Sequence, residues 1–299
     1  VIYLLTGENS YEIDRRLSEL VAGYDGDIER VDGSELNVDQ LPDLLAGVTL
    51  FSNKRLVVFK NASSNKPGWV ALGEWFEKGI ENDAAIVEFK PDKRAKTYKW
   101  LEKHAEVFRA KELSRGEALS WVEREVDKRK LVMPTGAQRF FVDYVGVDQW
   151  RLSSELEKLA LGGGSIDDVR IRELVEPTPQ ATSFELLDAV FAGRHEGASK
   201  LLAIVSRQED PYMFFGLLSS QVYALSLVKS AGGKRHDTIA KESGVHPFVL
   251  GKVSGLAGKL SLSQVRQMAA ELAELDASMK LRPTDPWTQI QATLLRITT

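Results

Sequence analysis

At 299 residues, with 43% hydrophobic and 27% charged residues and a formal net charge of −4, the chain has the composition of a soluble globular protein long enough for two or three compact domains. The sequence has no cysteine, which excludes disulfides and thiolate metal sites, and none of its four histidines (His104, His195, His236, His246) stands three or four residues from another. The charge balance argues against a surface given over wholly to nucleic acid, and no stretch is expected to reach the ~18 apolar residues of a membrane span, so a cytoplasmic protein without a metal or cofactor is expected.

The first third alternates short apolar runs with helical patterns. The runs are "VIYLLT", "DIERVD", "RLVVFK", "AAIVEF" and "EVFRA". Most are apolar enough to be buried on both faces, and segments long enough for crossover helices separate most of them, the pattern of a parallel sheet in an α/β layer fold over residues 1–112. From Leu113 the strand signal stops. "LSRGEALSWVEREVDKR", "TGAQRFFVDYVG" and "VDQWRLSSELEKLAL" place apolar residues at three- and four-residue steps and predict three amphipathic helices over 113–178. "EPTPQATS" reads as a linker, with Ser183 expected to cap a helix starting at "FELLDAV". Everything from 179 to 299 reads as helical, with His246 expected to cap or pack and Asp285 and Pro286 opening the last helix.

The stretch "YLLTGENSYEIDRRL" runs from a strand through a glycine into a helix, the layout of a phosphate-binding loop. Such a loop needs G-x-x-x-x-G-K-[ST], because successive backbone N–H groups wrap the phosphates, the lysine reaches the β and γ oxygens, and the hydroxyl holds magnesium. Here Gly7 is followed by no second glycine and no lysine, and Glu8, Glu12 and Asp14 would repel a triphosphate. Asn9 and Glu12 have the spacing of a helix cap and its third helical residue. The third strand ends in Lys60-Asn61 where an aspartate pair would complete the site. A nucleotide-binding scaffold without its chemistry is the reading, and no catalytic residue is assigned. "KPDKRAKTYKWLEKH" holds Lys90, Lys93, Arg94, Lys96, Lys99 and Lys103 against Asp92 and Glu102; Lys93, Arg94, Lys96 and Lys99 are candidates for a phosphate-backbone contact, against the simpler reading of a solvated helix face.

That three-part plan resembles the delta subunit family of bacterial DNA polymerase III, part of the sliding-clamp loader. The resemblance rests on "YLLTGENSYEID", "TLFSNKRLVVFKN", "WRLSSELEKLAL", "FELLDAV", "GVHPFVLGKV" and "LAELDASMKLRPTDPW" in that order. It implies an AAA+-like parallel-sheet domain without a functional P-loop, a small helical lid and a C-terminal helical collar. It further implies a subunit without ATPase activity of its own, within a complex that has DNA-directed DNA polymerase activity, that binds and opens the sliding clamp (beta). The gamma/tau and delta prime loader subunits and primed DNA are the other implied partners. Within "GVTLFSNKR" the resemblance makes Leu50 and Phe51, preceded by Thr49, a hydrophobic plug for the clamp, although Gly47 stands where the general clamp-binding pentapeptide has glutamine. Read from the residues alone, the same Leu-Phe pair fills local core. A divergent nucleotide-dependent transferase and a helical scaffold in DNA repair are the alternatives.

Overall fold

The computed structural model describes residues 1–46 and 54–297. Among the described residues five strands form one sheet: β1 (Ile2–Gly7), β2 (Asp27–Asp32), β3 (Arg55–Lys60), β4 (Asp83–Phe89) and β5 (Glu106–Ala110). Every pairing is parallel and the order is β2-β3-β4-β1-β5, with Leu4 opposite Ile86 and Val107, and Val58 opposite Ala85. All five predicted strands are present, and the parallel AAA+-like sheet expected from the resemblance is observed.

The helices of the first part are α1 (Ser10–Ala22), α2 (Leu41–Ala46), α3 (Lys66–Lys78), α4 (Lys96–His104), α5 (Arg115–Lys128), α6 (Thr135–Val145) and α7 (Gln149–Leu161). Successive side chains on a strand point to opposite faces, and here both faces are covered. Leu4, Val57, Phe59 and Ile86 pack with Leu41, Leu44 and Leu45 of α2, Trp69, Leu72 and Phe76 of α3, and Leu101 of α4. Their neighbours Leu5, Val58, Ala85 and Val87 pack with Ile13 and Leu17 of α1. This double burial accounts for the uninterrupted apolar runs that announce β1, β3 and β4.

The remaining helices are α8 (Asp168–Leu174), α9 (Pro179–Phe191), α10 (His195–Val205), α11 (Pro211–Ser230), α12 (His236–Ser243), α13 (Pro247–Lys259), α14 (Leu262–Leu281) and α15 (Pro286–Ile297). The chain divides into two compact units: Val1–Gln138 with Gly146–Ser165, and Arg139–Val145 with the residues from Ile166 onward. One apolar cluster holds the second unit together, running from Leu186 and Val190 through Phe214, Leu218 and Leu225 to Leu250, Met268, Leu275 and Leu294.

Two expectations need correction here. "EPTPQATS" does not stay outside the helix: Thr178 is the cap of α9, its hydroxyl accepting from the Ala181 N–H at 3.2 Å, with Pro179 in the first turn. Ser183 is wholly buried inside α9 and accepts a hydrogen bond from Gln221 Nε2. Proline at the first helical position has the φ the helix requires and lacks only an N–H that would be unsatisfied there, so Pro179 starts a helix where composition suggests a linker. The second correction concerns α11, whose twenty residues are long and apolar enough to cross a membrane by length and composition. In the fold it is a core helix, packed against α9, α13, α14 and α15 with Phe214, Leu218, Val222, Ala224 and Leu225 buried. The caps expected at His246 and Asp285 are present: His246 Nδ1 accepts from the Phe248 N–H at 3.2 Å, and Asp285 accepts from the Thr288 N–H at 2.8 Å.

Candidate functional site

The loop between β1 and α1 is where this topology could aim backbone donors at a phosphate. The Glu8, Asn9 and Glu12 N–H groups all have acceptors within the chain. Gly7 has φ +141°, and a Cβ there would stand 2.0 Å from the carbonyl oxygen of Ala110, so the loop lies directly on the end of β5. That oxygen accepts from the Glu8 N–H at 2.8 Å and from the Asn9 N–H at 3.4 Å. Asn9 caps α1 as expected, its Oδ1 accepting from the Glu12 N–H at 3.2 Å.

A further wall comes from α7. Asn9, 8% exposed, donates through Nδ2 to Gln149 Oε1, and Gln149 Nε2 in turn donates to Glu12 Oε1 at 2.8 Å. Gln149 is 2% exposed. Beside it Trp150 Nε1 donates to Ser10 Oγ at 3.0 Å, and Tyr11 meets Trp150 and Trp121 edge to face, with ring centroids 5.0 and 5.6 Å apart. Glu12 therefore bonds Gln149 and Arg15 through its side chain. Lys60, standing where a magnesium-binding aspartate would, pairs with Asp14 at 3.1 Å. Two helices of the same chain thus pack against the first turn of α1, α5 through Trp121 and α7 through Gln149 and Trp150.

Sequence reasoning found Asn9 and the missing lysine but not Gln149. A signal was there: residues 149, 152, 156 and 159 share one face of α7, and the other three are leucines. A glutamine in the phase of a leucine stripe marks a buried polar group that needs partners.

A second buried polar group lies at the end of β4. Glu88 is 1% exposed and accepts from the Ser63 N–H at 3.0 Å and the Ser63 hydroxyl at 2.5 Å. Burial pushes its carboxyl above the ordinary value, and the Ser63 and Ala62 hydrogen bonds offset only part of that rise. Thr6 is opposite Glu88 in the β1–β4 register, and its buried hydroxyl has no hydrogen-bond partner among the described residues. Nothing in the alternation of "AAIVEF" singles out Glu88, because a strand-end glutamate normally faces water.

Of the basic residues around α4, Arg94 is tied to Asp92 at 3.0 Å and Lys96 to Glu77 at 2.9 Å. Lys93 and Lys99 are exposed and make no ion pair among the described residues. The four candidates thus divide into two tied to carboxylates and two without an ion pair among the described residues. Thr49, Leu50 and Phe51, the expected clamp-binding residues, lie outside the described residues. The elements on either side are firmly held: the Leu45 carbonyl at the end of α2 accepts from the Glu81 and Asn82 N–H groups, the Asn82 side chain donates to the Leu44 carbonyl at 3.0 Å, and β3 is buried from Leu56 to Phe59.

The fold and its loop define a class, an AAA+-like parallel sheet whose phosphate loop is closed by its own chain, joined to a helical bundle. Comparison with known proteins narrows it. Residues 180–297 match the family model described as the DNA polymerase III delta subunit, C-terminal domain. DNA polymerase III subunit delta of Bacillus subtilis is 24% identical, over 99% of this chain and 92% of that protein. The solved structure of the Bacillus subtilis DNA clamp loader delta protein matches with a TM-score of 0.52 at 21% identity, covering 99% of this chain and 95% of that one. The chain resembles DNA polymerase III delta subunits from end to end, and residues 180–297 match the model of their C-terminal domain.

Proposed function

We propose that the chain is the delta subunit of a bacterial clamp loader: it binds and opens the sliding clamp for loading onto primed DNA and hydrolyses no ATP itself. The observation that carries the noncatalytic part is the occupied loop, in which Ala110 takes the Glu8 and Asn9 N–H groups, Gln149 the Asn9 side chain and Trp150 the Ser10 hydroxyl, with no lysine to reach a phosphate. Likeness to delta subunits along the whole chain supports the loader role. On this reading residues 1–112 carry the clamp contact through Thr49, Leu50 and Phe51, 113–178 form the lid, and 179–299 join the gamma/tau and delta prime subunits in a cytoplasmic assembly. Lys93 and Lys99 are the proposed contacts to the DNA backbone, since Arg94 and Lys96 already have carboxylate partners.

A nucleotide-dependent transferase would require the Gly7 loop to open. Titration of the purified chain with a fluorescent ATP analogue and magnesium separates the readings: no saturable binding up to millimolar nucleotide is expected, and micromolar binding abolished by substitutions in the Gly7 loop would overturn the proposal.

A further inference from the structure

Within the second unit, α8, α9, α13 and the end of α6 enclose a cavity of about 180 Å³ that no part of the proposed loader role uses. Its walls are aromatic: Phe140 and Tyr144 on one side, Phe184 and Phe248 on the others. Five charged side chains border it. Arg172 pairs with Glu185 and lies over the Phe140 ring, 4.6 Å from its centroid. Lys252 pairs with Asp143 at 2.6 Å and lies 5.5 Å from the centre of the Phe248 ring. Both cations are thus already engaged. Asp188 is exposed at the rim, and its carboxylate makes no ion pair or hydrogen bond among the described residues.

Of the charged side chains that line the cavity, Asp188 is the one carboxylate without an ion pair among the described residues. Burial first, and then Glu185, push the Tyr144 phenol up against the opposing pull of Arg172. An anion entering here would have to break an existing pair and face Asp188. A neutral apolar group would leave that carboxylate partly desolvated with no partner. A cation on an apolar stem satisfies both features, its stem against the rings and its head at Asp188.

We infer that this cavity is a binding site for one basic side chain, an arginine or lysine carried by a partner polypeptide, with Asp188 as the charge partner and Phe184 as an aromatic wall. The inference stands on the cavity alone and survives or fails independently of the loader role. It is tested on the full chain by following the methyl NMR signals of Leu187 and Val253, which line the cavity, during titration with N-acetyl-arginine amide, agmatine, and N-acetyl-glutamate amide. Saturable shifts are expected with the first two and none with the third. Asp188→Asn, a change at an exposed position, should weaken the arginine amide at least fivefold while leaving the fold intact. Shifts with the glutamate amide of equal size, affinity unchanged by Asp188→Asn, or no saturable shift with the arginine amide would each overturn the site. Binding of agmatine without the arginine amide would overturn the polypeptide partner.

Discussion

Gln149 decides what the β1–α1 loop can do. Its amide accepts from Asn9 and donates to Glu12, so one side chain occupies both the cap residue and the third position of α1. Removing it leaves Asn9 Nδ2 with only its 3.3 Å bond to the Lys111 carbonyl. Gln149→Ala is expected to cost ~1–3 kcal/mol, the range for stranding a buried polar partner, measured by denaturant unfolding. Glu88 yields a pH-dependent test. Its carboxyl pKa is raised in the folded chain, so the native state holds the proton more tightly than the unfolded one. The stability this group contributes is complete below the ordinary glutamate value and is lost as pH rises through the folded value. Glu88→Gln keeps an acceptor for Ser63 and does not ionise. Its stability relative to the parent chain should therefore increase as pH is raised from 4 to 8, followed by thermal midpoints in matched buffers. A difference that stays constant with pH would show that Glu88 does not titrate above its ordinary range.

Among the elements, legibility follows burial. β1, β3 and β4 could be read from the sequence because strands covered on both faces must be apolar throughout, and β2 and β5, at the sheet edges, because β-branched and aromatic residues mark them. Helix α8 was not anticipated: its seven residues are too few for a periodic pattern to stand out from "IDDVRIRELVE". The start of α9 was misread because proline and polar residues signal both linkers and helix N-termini, and only packing distinguishes them. Thr178→Ala is accordingly expected to cost ~0.5–2 kcal/mol as the loss of a helix cap, measured by thermal unfolding. A neutral effect would place the start of α9 further along, toward Ser183. The absent phosphate chemistry was legible at Gly7, Glu8 and Lys60. What fills the space was not, since Gln149 lies 140 residues beyond Asn9 and only the fold brings them together.

For the molecule as a whole, the central claim is a subunit that engages a sliding clamp without using nucleotide, through Leu50 and Phe51 on the connection between α2 and β3. Burying two large apolar side chains in a clamp pocket contributes ~1.5–3 kcal/mol each when they act as a hot spot. At about 1.4 kcal/mol per factor of ten, losing both weakens binding by roughly two to four orders of magnitude. The same pair in local core would instead lower stability by about 2–5 kcal/mol per residue. The most direct measurement is the equilibrium affinity of the full chain for a purified bacterial sliding clamp, with and without ATP, for the parent and for Leu50→Ala/Phe51→Ala, each with its thermal midpoint. Binding that is indifferent to ATP and falls by at least a hundredfold in the double variant, at an unchanged midpoint, is the expected result. No binding by the parent chain, binding that requires ATP, or a lowered midpoint with clamp affinity intact would contradict it.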